Sequence, residues 1–265
     1  MENIFEGKVC IVTGGASGIG YGLSEELLKR GAIVYVLDVR EESVKDAQER
    51  LKECKNARFA TADVTIEEQV RTVIEDAAKE NGHLDYLFNN AGIGATLPFE
   101  EVPLEFWKKV IDINLWGVIY GINAAFPIMN KQGFGHIVNT SSIAGILPTP
   151  YQTLYCTTKF GVLGLGVSLS YELEAKGIFV STICPSNVAT PIFGDYAPPK
   201  DAISVEEAVQ IILNGVVNKE KIIILPEKAK EMVLEFINDL DKFDAFLKNM
   251  ADERRQAYET GGNYY

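Results

Sequence analysis

Short, continuously apolar runs alternate with segments of helical spacing along most of this chain. Lys8–Thr13 (KVCIVT) has strand length, and Gly18–Arg30 reads as the helix after it. Ile33–Asp38 (IVYVLD) and Glu41–Glu53 repeat the pair, followed by Arg58–Thr61 with Ile66–Glu80, and Leu84–Phe88 with a long helix over Leu104–Met129. His136–Thr140 leads to a helix at Thr153–Lys176, and Ile178–Cys184 to one at Val205–Val217, before a last strand at Lys221–Leu225. Strands without polar alternation are buried on both faces, which requires a parallel sheet covered by helices on each side. The expected fold is an α/β doubly wound parallel sheet of about seven strands, with its ligand outside the carboxyl ends of the strands. The chemically distinctive residues fall at those ends: Thr13, Asp38, Asp63, Asn89–Gly92, Ser141–Ser142 and Pro185–Thr190.

Composition narrows the function. A net charge of −12 argues against nucleic acid, whose phosphates need clustered Lys and Arg. Residues 101–200 carry only six acids and six bases, a low charge density that suits burial. The uncharged stretch Ile113–Asn130 is interrupted by Asn, Gly and Pro, so no membrane span is expected. The first residues, MENIFEGKVCIVTGG, lack the basic and apolar regions of a signal peptide. Two distant histidines, His83 and His136, cannot build a His-rich metal site, and no metal is expected. Cys10, Cys54, Cys156 and Cys184 form no CxxC and read as small hydrophobes in a reducing, cytoplasmic compartment.

Between the first strand and the first helix lies Thr13-Gly14-Gly15-Ala16-Ser17-Gly18-Ile19-Gly20. Glycine lets the backbone turn tightly and approach a pyrophosphate, and the helix N-terminus offers free N–H groups and a positive dipole end. Gly14, Ser17, Gly18, Ile19 and Gly20 are therefore candidates for binding a dinucleotide, although the spacing is GxxxGxG rather than GxGxxG. Asp38 ends the second strand, where a carboxylate accepts hydrogen bonds from ribose hydroxyls and repels a 2′-phosphate. No basic residue occupies Ser17 or Val39, although Arg40 stands one residue further on. NAD(H) is favoured over NADP(H).

Tyr155 and Lys159, four residues apart, share one face of a helix. An ammonium beside a phenol favours the phenolate and lowers a pKa that is ordinarily near 10. A phenol tuned in this way serves as general acid or base on a hydroxyl. Ser142, at the end of the fifth strand, is placed to hydrogen-bond an oxygen on which charge develops.

These motifs in this order resemble the short-chain dehydrogenase/reductase family over residues 5–192: TGGASGIG at 13–20, Asp63-Val64, Asn89-Asn90-Ala91-Gly92, Asn114, Ser142 and Tyr155-Cys-Thr-Thr-Lys159. The resemblance implies a Rossmann-type domain spanning 1–265, with a cofactor-binding and catalytic core at 5–192, a substrate lid and helix at 191–218, and a C-terminal helix and tail at 226–265. It implies that Lys159 also binds the nicotinamide ribose and that Asn114 holds a water for proton relay. Asp63 would contact the adenine amino group, with Val64 supplying backbone contacts. Asn90, Ala91 and Gly92 would line the adenosine ribose side. Val188 and Thr190, in the loop that begins at Pro185, would meet the carboxamide. Hydride transfer between nicotinamide C4 and a carbinol carbon, with Tyr155 handling the hydroxyl proton, is the implied reaction. A homodimer through the two long helices is also implied, or a homotetramer.

Two features depart from the family pattern. Pro185 is followed by Ser186 rather than glycine, and the last strand is followed by Glu227–Tyr258. That segment has helical spacing at Met232, Phe236, Leu240, Phe243 and Leu247, and the tail Gly261–Tyr265 is expected to fray. In the lid, Pro198 and Pro199 oppose a regular helix. Ile143, Leu147, Tyr151, Phe193 and Tyr196, with Ile93, Ser142 and Tyr155, are the expected lining of an apolar substrate pocket. No Arg or Lys occurs from Ile143 to Thr158, which favours a neutral hydrophobic secondary alcohol or ketone, such as a steroid-like compound. The alternatives are an NADP(H)-dependent 3-ketoacyl or other carbonyl reductase and a non-catalytic dinucleotide-sensing scaffold. A serine hydrolase is a poor third, since no GxSxG elbow occurs.

Overall fold

The computed structural model describes residues 4–194 and 196–261. Its strands are β1 (Val9–Thr13), β2 (Ile33–Asp38), β3 (Ala57–Thr61), β4 (Tyr86–Asn89), β5 (Gly135–Thr140), β6 (Ile178–Pro185) and β7 (Ile222–Leu225). All pair in parallel, in the order β3-β2-β1-β4-β5-β6-β7. The order reverses between β1 and β4, and a crevice opens there at the carboxyl edge. The helices are α1 (Gly18–Lys29), α2 (Glu41–Arg50), α3 (Glu67–Asn81), α4 (Leu104–Ile111), α5 (Gly117–Gln132), α6 (Thr153–Leu173), α7 (Val205–Val217), α8 (Glu227–Asn238) and α9 (Leu240–Glu259).

Strand β1 shows why its sequence lacks polar alternation. Cys10 and Val12 enter the core beneath α1 and α7, while Val9 and Ile11 enter the opposite core against α3 and α5. Every β1 residue is buried, as a central parallel strand demands. The expected doubly wound sheet of seven strands is the fold.

Two helical expectations need correction. The long helix over Leu104–Met129 is interrupted by a π-helical turn, Asp112–Trp116, between α4 and α5. The continuous stretch Leu104–Gln132 is long and apolar enough to cross a membrane by length and composition alone. Here its apolar positions, among them Val118, Ile122 and Ala125, join the core on the sheet. The second correction concerns Glu227–Tyr258, which is two helices. The chain leaves helical geometry at Asp239 (φ −137°, ψ 89°), and the Asp239 carboxylate caps α9 by accepting from the Lys242 N–H at 2.9 Å. The apolar spacing runs on through the break, which hides it. As a result Phe236 is buried, while Leu240 is 72% exposed. Residues 262–265 of the expected frayed tail lie outside the described residues.

Polar groups inside the sheet are sparse and mostly paired. His136 lies between Tyr86 and Phe179 in neighbouring register, 5% exposed. Ser181 donates its hydroxyl to the Glu220 carbonyl (2.6 Å), so it accepts from His136 Nε2 (2.8 Å), which fixes the Nε2–H tautomer. Burial, aided by the Lys219 ammonium, pushes the His136 pKa down from 6.5 to about 4. The unfolded chain therefore binds a proton that the folded one refuses between those values. Stability is expected to fall as pH drops from 6.5 towards 4, by up to about 3 kcal/mol. Urea unfolding across that range checks this; His136→Gln should flatten the slope, and an unchanged slope would refute the assignment.

Candidate active site

The glycine turn after β1 is held from β4. Thr13 Oγ1 accepts the N–H groups of Asn90 (3.0 Å) and Ala91 (3.1 Å), and Asn90 Nδ2 donates to the carbonyls of Thr13 (3.2 Å) and Gly14 (3.4 Å). Gly14 (φ 62°) and Gly18 (φ 51°) occupy the left-handed region that glycine adopts without strain. At Gly20 a Cβ would lie 2.1 Å from the Gly14 carbonyl oxygen. The turn thus admits no side chains at these points and keeps backbone N–H groups at the head of α1, with Ser17 at the N-cap and Ile19 in the first turn. Asn90, expected beside a ribose, has its amide nitrogen committed to bracing the turn.

Asp38 ends β2 buried, and its Oδ1 accepts from the Arg40 N–H at 3.2 Å. The Arg40 guanidinium lies 3.7 Å from the Asp38 carboxylate and donates to Ser17 Oγ at 3.3 Å. This arginine therefore spans the two positions that sequence alone treated separately. Asp63 Oδ1 accepts from Thr65 N and Thr65 Oγ1 at 2.8 Å each, which shapes the loop after β3. Val64 packs where a Cβ on Gly117 would come within 3.0 Å of it.

Asn114 sits in the π-helical turn, fully buried. Its Oδ1 accepts from Ile93 N (2.9 Å), and its Nδ2 donates to Ile93 O (2.9 Å) and Thr158 Oγ1 (3.2 Å). One side chain thus replaces a strand partner for Ile93 and ties the loop after β4 to α6. A Cβ on Gly92 would stand 3.3 Å from Asn114 Oδ1 and 3.4 Å from Lys159 Nζ, so glycine keeps the space in front of both open. Lys159 is 3% exposed and donates to the Thr140 carbonyl at 2.9 Å. Its ammonium lies 5.5 Å from the centre of the Tyr155 ring. Burial lowers the Lys159 pKa to about 8, opposed by the nearby Cys184 thiol. Ser142 caps the short turn Ile143–Gly145 by accepting from Ala144 N (3.1 Å), and its hydroxyl donates to the Pro185 carbonyl at 3.4 Å.

The carboxyl edge therefore gathers Asn114, Ser142, Tyr155 and Lys159 from α5's π-helical approach, β5 and α6. Thr190 arches over the turn, since a Cβ on Gly18 would lie 3.2 Å from its Cβ, and Val188 bridges to Ile203. The expected pocket residues divide. Tyr155, like Ile93 and Trp107, packs against the small cluster of Ala95, Val110 and Leu154. Ile143 and Leu147 pack with Val233 and Phe236 of α8, so α8 backs this wall. Phe193 is buried, Tyr196 is 44% exposed, and Asp195 lies outside the described residues. Three contributors escaped the sequence reading, Thr158 beneath Asn114 and Arg254 and Tyr258 of α9, while Ser141, singled out at the end of the fifth strand, donates to the Lys159 carbonyl (2.7 Å). The spacing Thr158-Lys159 beside the tyrosine was the one available signal; α9 left none.

The short chain dehydrogenase family pattern matches residues 8–201. The 2,5-dichloro-2,5-cyclohexadiene-1,4-diol dehydrogenase of Sphingobium indicum is 35% identical over 199 residues, 75% of this chain and 80% of that protein. A 2-dehydro-3-deoxy-L-rhamnonate dehydrogenase (NAD(+)) of Sphingomonas sp. is 34% identical over 189 residues, 71% of this chain and 75% of that protein. A short chain dehydrogenase/reductase from Burkholderia phymatum, solved in complex with NAD, shares the fold with a TM-score of 0.80 at 23% identity, covering 98% of this chain and 97% of that one. The chain belongs to the short-chain dehydrogenase family, and it is an oxidoreductase.

A lowered lysine pKa means that the fold tolerates the buried charge at a cost. Lys159→Met removes that cost but leaves the Thr140 carbonyl unpaired. The variant is expected to be more stable than the parent at pH 7 by about 1–2 kcal/mol. Denaturant unfolding measures it, and a large destabilisation would show that the ammonium holds the fold together.

Proposed function

We propose that the protein interconverts a neutral, hydrophobic secondary alcohol and its ketone, using NAD(H) and Tyr155 as general acid/base. The carrying observation is the placement of the buried Lys159 against Tyr155, with Gly92 and Asn114 beside the lysine. The fit of a dinucleotide rests on the glycine turn at the head of α1, whose backbone at Gly14, Gly18 and Gly20 is packed too closely, or turned too far, to carry side chains. Ser17, Ile19, Asp38, Asp63, Val64, Ala91, Val188 and Thr190 border the same edge. When bound, the nicotinamide supplies the hydride acceptor or donor at C4.

The protein's own part is positional and electrostatic. Ser142 holds the substrate oxygen, and Tyr155 takes the hydroxyl proton as the carbinol carbon gives up hydride. The Lys159 charge stabilises the phenolate form of Tyr155 that accepts this proton and becomes a neutral phenol. Asn114 fixes the Ile93 backbone beside the lysine. Tyr155→Phe is expected to cut turnover by at least about a hundredfold while NADH still binds with the parent's affinity. Stopped-flow turnover and NADH fluorescence titration read the two separately. Retained turnover would sink the catalytic assignment.

Asp38 supports NAD(H), as does the nicotinamide preference in the name of the Sphingomonas relative. Arg40, reaching Ser17, is the observation that favours NADP(H). Comparison of kcat/KM for the two cofactors decides between them. With NAD preferred, Asp38→Ala should raise KM for NAD by about tenfold, the loss of a charge-assisted hydrogen bond. A chain that prefers NADPH before mutation would reverse the reading. Exposed Trp116, Phe160 and Tyr171 along α5 and α6 support a homo-oligomer through these helices.

A further inference from the structure

Helix α9 has twenty residues and buries none of them, so it adds little to the core. Its fastenings are concentrated instead. At its start, Phe243 and Phe246 stack on Phe236 of α8, with ring centroids 5.2 and 4.7 Å away. At its end, Arg254 Nη1 donates to the Pro150 carbonyl at 2.5 Å, Tyr258 donates its hydroxyl to the Glu101 carboxylate, and the Tyr258 ring meets that of Tyr151 at 6.5 Å. Pro150 and Tyr151 lie just before the amino end of α6, which carries Tyr155 four residues past Tyr151.

The segment thus fastened is strained. Tyr151 has φ 65°, a left-handed conformation that costs a bulky residue of order 1 kcal/mol or more. Something must hold it there. Its carbonyl accepts from Leu97 N at 2.8 Å, and Gln152 Nε2 donates to Thr96 Oγ1 at 2.9 Å. The loop after β4, the loop before α6 and the end of α9 therefore form one closed circuit of contacts. Leu97 and Thr96 belong to the loop that also supplies Ile93 and Ala95 to the packing around Tyr155.

We propose that α9 forms the outer wall of the substrate mouth, with Arg254 and Tyr258 as positioning residues that hold Tyr151 in its strained conformation and so select for bulky hydrophobic alcohols. This assignment rests on the function proposed above. Arg254 acts through the Pro150 carbonyl, one residue before Tyr151. Tyr258 acts from both sides, through Glu101 and through the ring contact. The segment Ile143–Thr158 has no Arg or Lys of its own; Arg254 comes to it from the far end of the sequence and serves a backbone carbonyl.

The test compares the parent with Arg254→Ala, Arg254→Lys and Tyr258→Phe, on a hydroxysteroid and on 2-butanol with saturating NAD. Arg254→Ala should raise KM for the hydroxysteroid about tenfold, as loss of a charged hydrogen bond does, with little change in kcat. KM for 2-butanol and NADH affinity should stay at parent values, and Arg254→Lys should recover part of the loss. Tyr258→Phe, which removes only a hydroxyl, should move KM in the same direction. Unchanged hydroxysteroid KM in both variants overturns the assignment. So does a parallel rise for hydroxysteroid, 2-butanol and NAD, which marks a merely structural helix. A readout independent of the substrate is hydrogen exchange at the Leu97 amide, which should quicken in Arg254→Ala while β1 amides keep the parent's rates. If the parent turns over no alcohol or ketone, the proposed function fails, and unaltered exchange at Leu97 would then overturn the clamp separately.

Discussion

A positive charge held out of water beneath the carboxyl edge of the sheet sets the terms for everything around it. Lys159 is buried and has one carbonyl partner at the end of β5, and its lowered pKa records the strain of that position. An ammonium in such a place is useful only if a group that gains from the charge stands beside it and the way to it stays open. The Tyr155 ring meets the first demand and Gly92 the second. Asn114 and Ser141 then hold the backbone on either side, so that neither loop nor helix relaxes into the gap. Stability is given up locally and regained in two apolar layers that enclose the sheet.

The same economy governs the cofactor edge. Thr13 and Asn90 join β1 to the loop after β4 through four hydrogen bonds, each between a side chain and a backbone group of residues 13–14 or 90–91. A turn built of glycine would otherwise be loose. Bracing by side chains from the neighbouring strand lets the turn stay bare on the ligand side and firm on the protein side. Arg40, lying across Asp38 and Ser17, closes the far end of this edge.

Much of this was legible in the sequence, for physical reasons. Parallel strands announce themselves by unbroken apolar runs, glycine turns by spacing, and Tyr155 with Lys159 by one helical turn. What escaped depends on contacts between distant parts of the chain. Arg254 meets Pro150 across 104 residues, and nothing local to either predicts the pairing. Tyr151 takes a left-handed conformation that its side chain disfavours, so only its surroundings explain it. The break at Asp239 hid because Phe236, Leu240 and Phe243 keep helical spacing across it, while a single carboxylate cap ends the register. Ile143 and Leu147 read as pocket lining, and nothing local showed that they also pack with Val233 and Phe236, some ninety residues further along the chain.

The π-helical turn at Asp112–Trp116 sets a rule about length rather than chemistry. A π-turn is one residue more than a regular helix needs, and one residue turns a helix by about 100°. The surplus residue is what carries Asn114 inward while α4 and α5 keep their own apolar faces on the protein. Exchanging side chains around it leaves that geometry in place. Losing a single residue between Ile111 and Gly117 would let the helix become regular and remove the bulge that carries Asn114 inward. Lineages of this chain should therefore tolerate substitutions here far more readily than deletions.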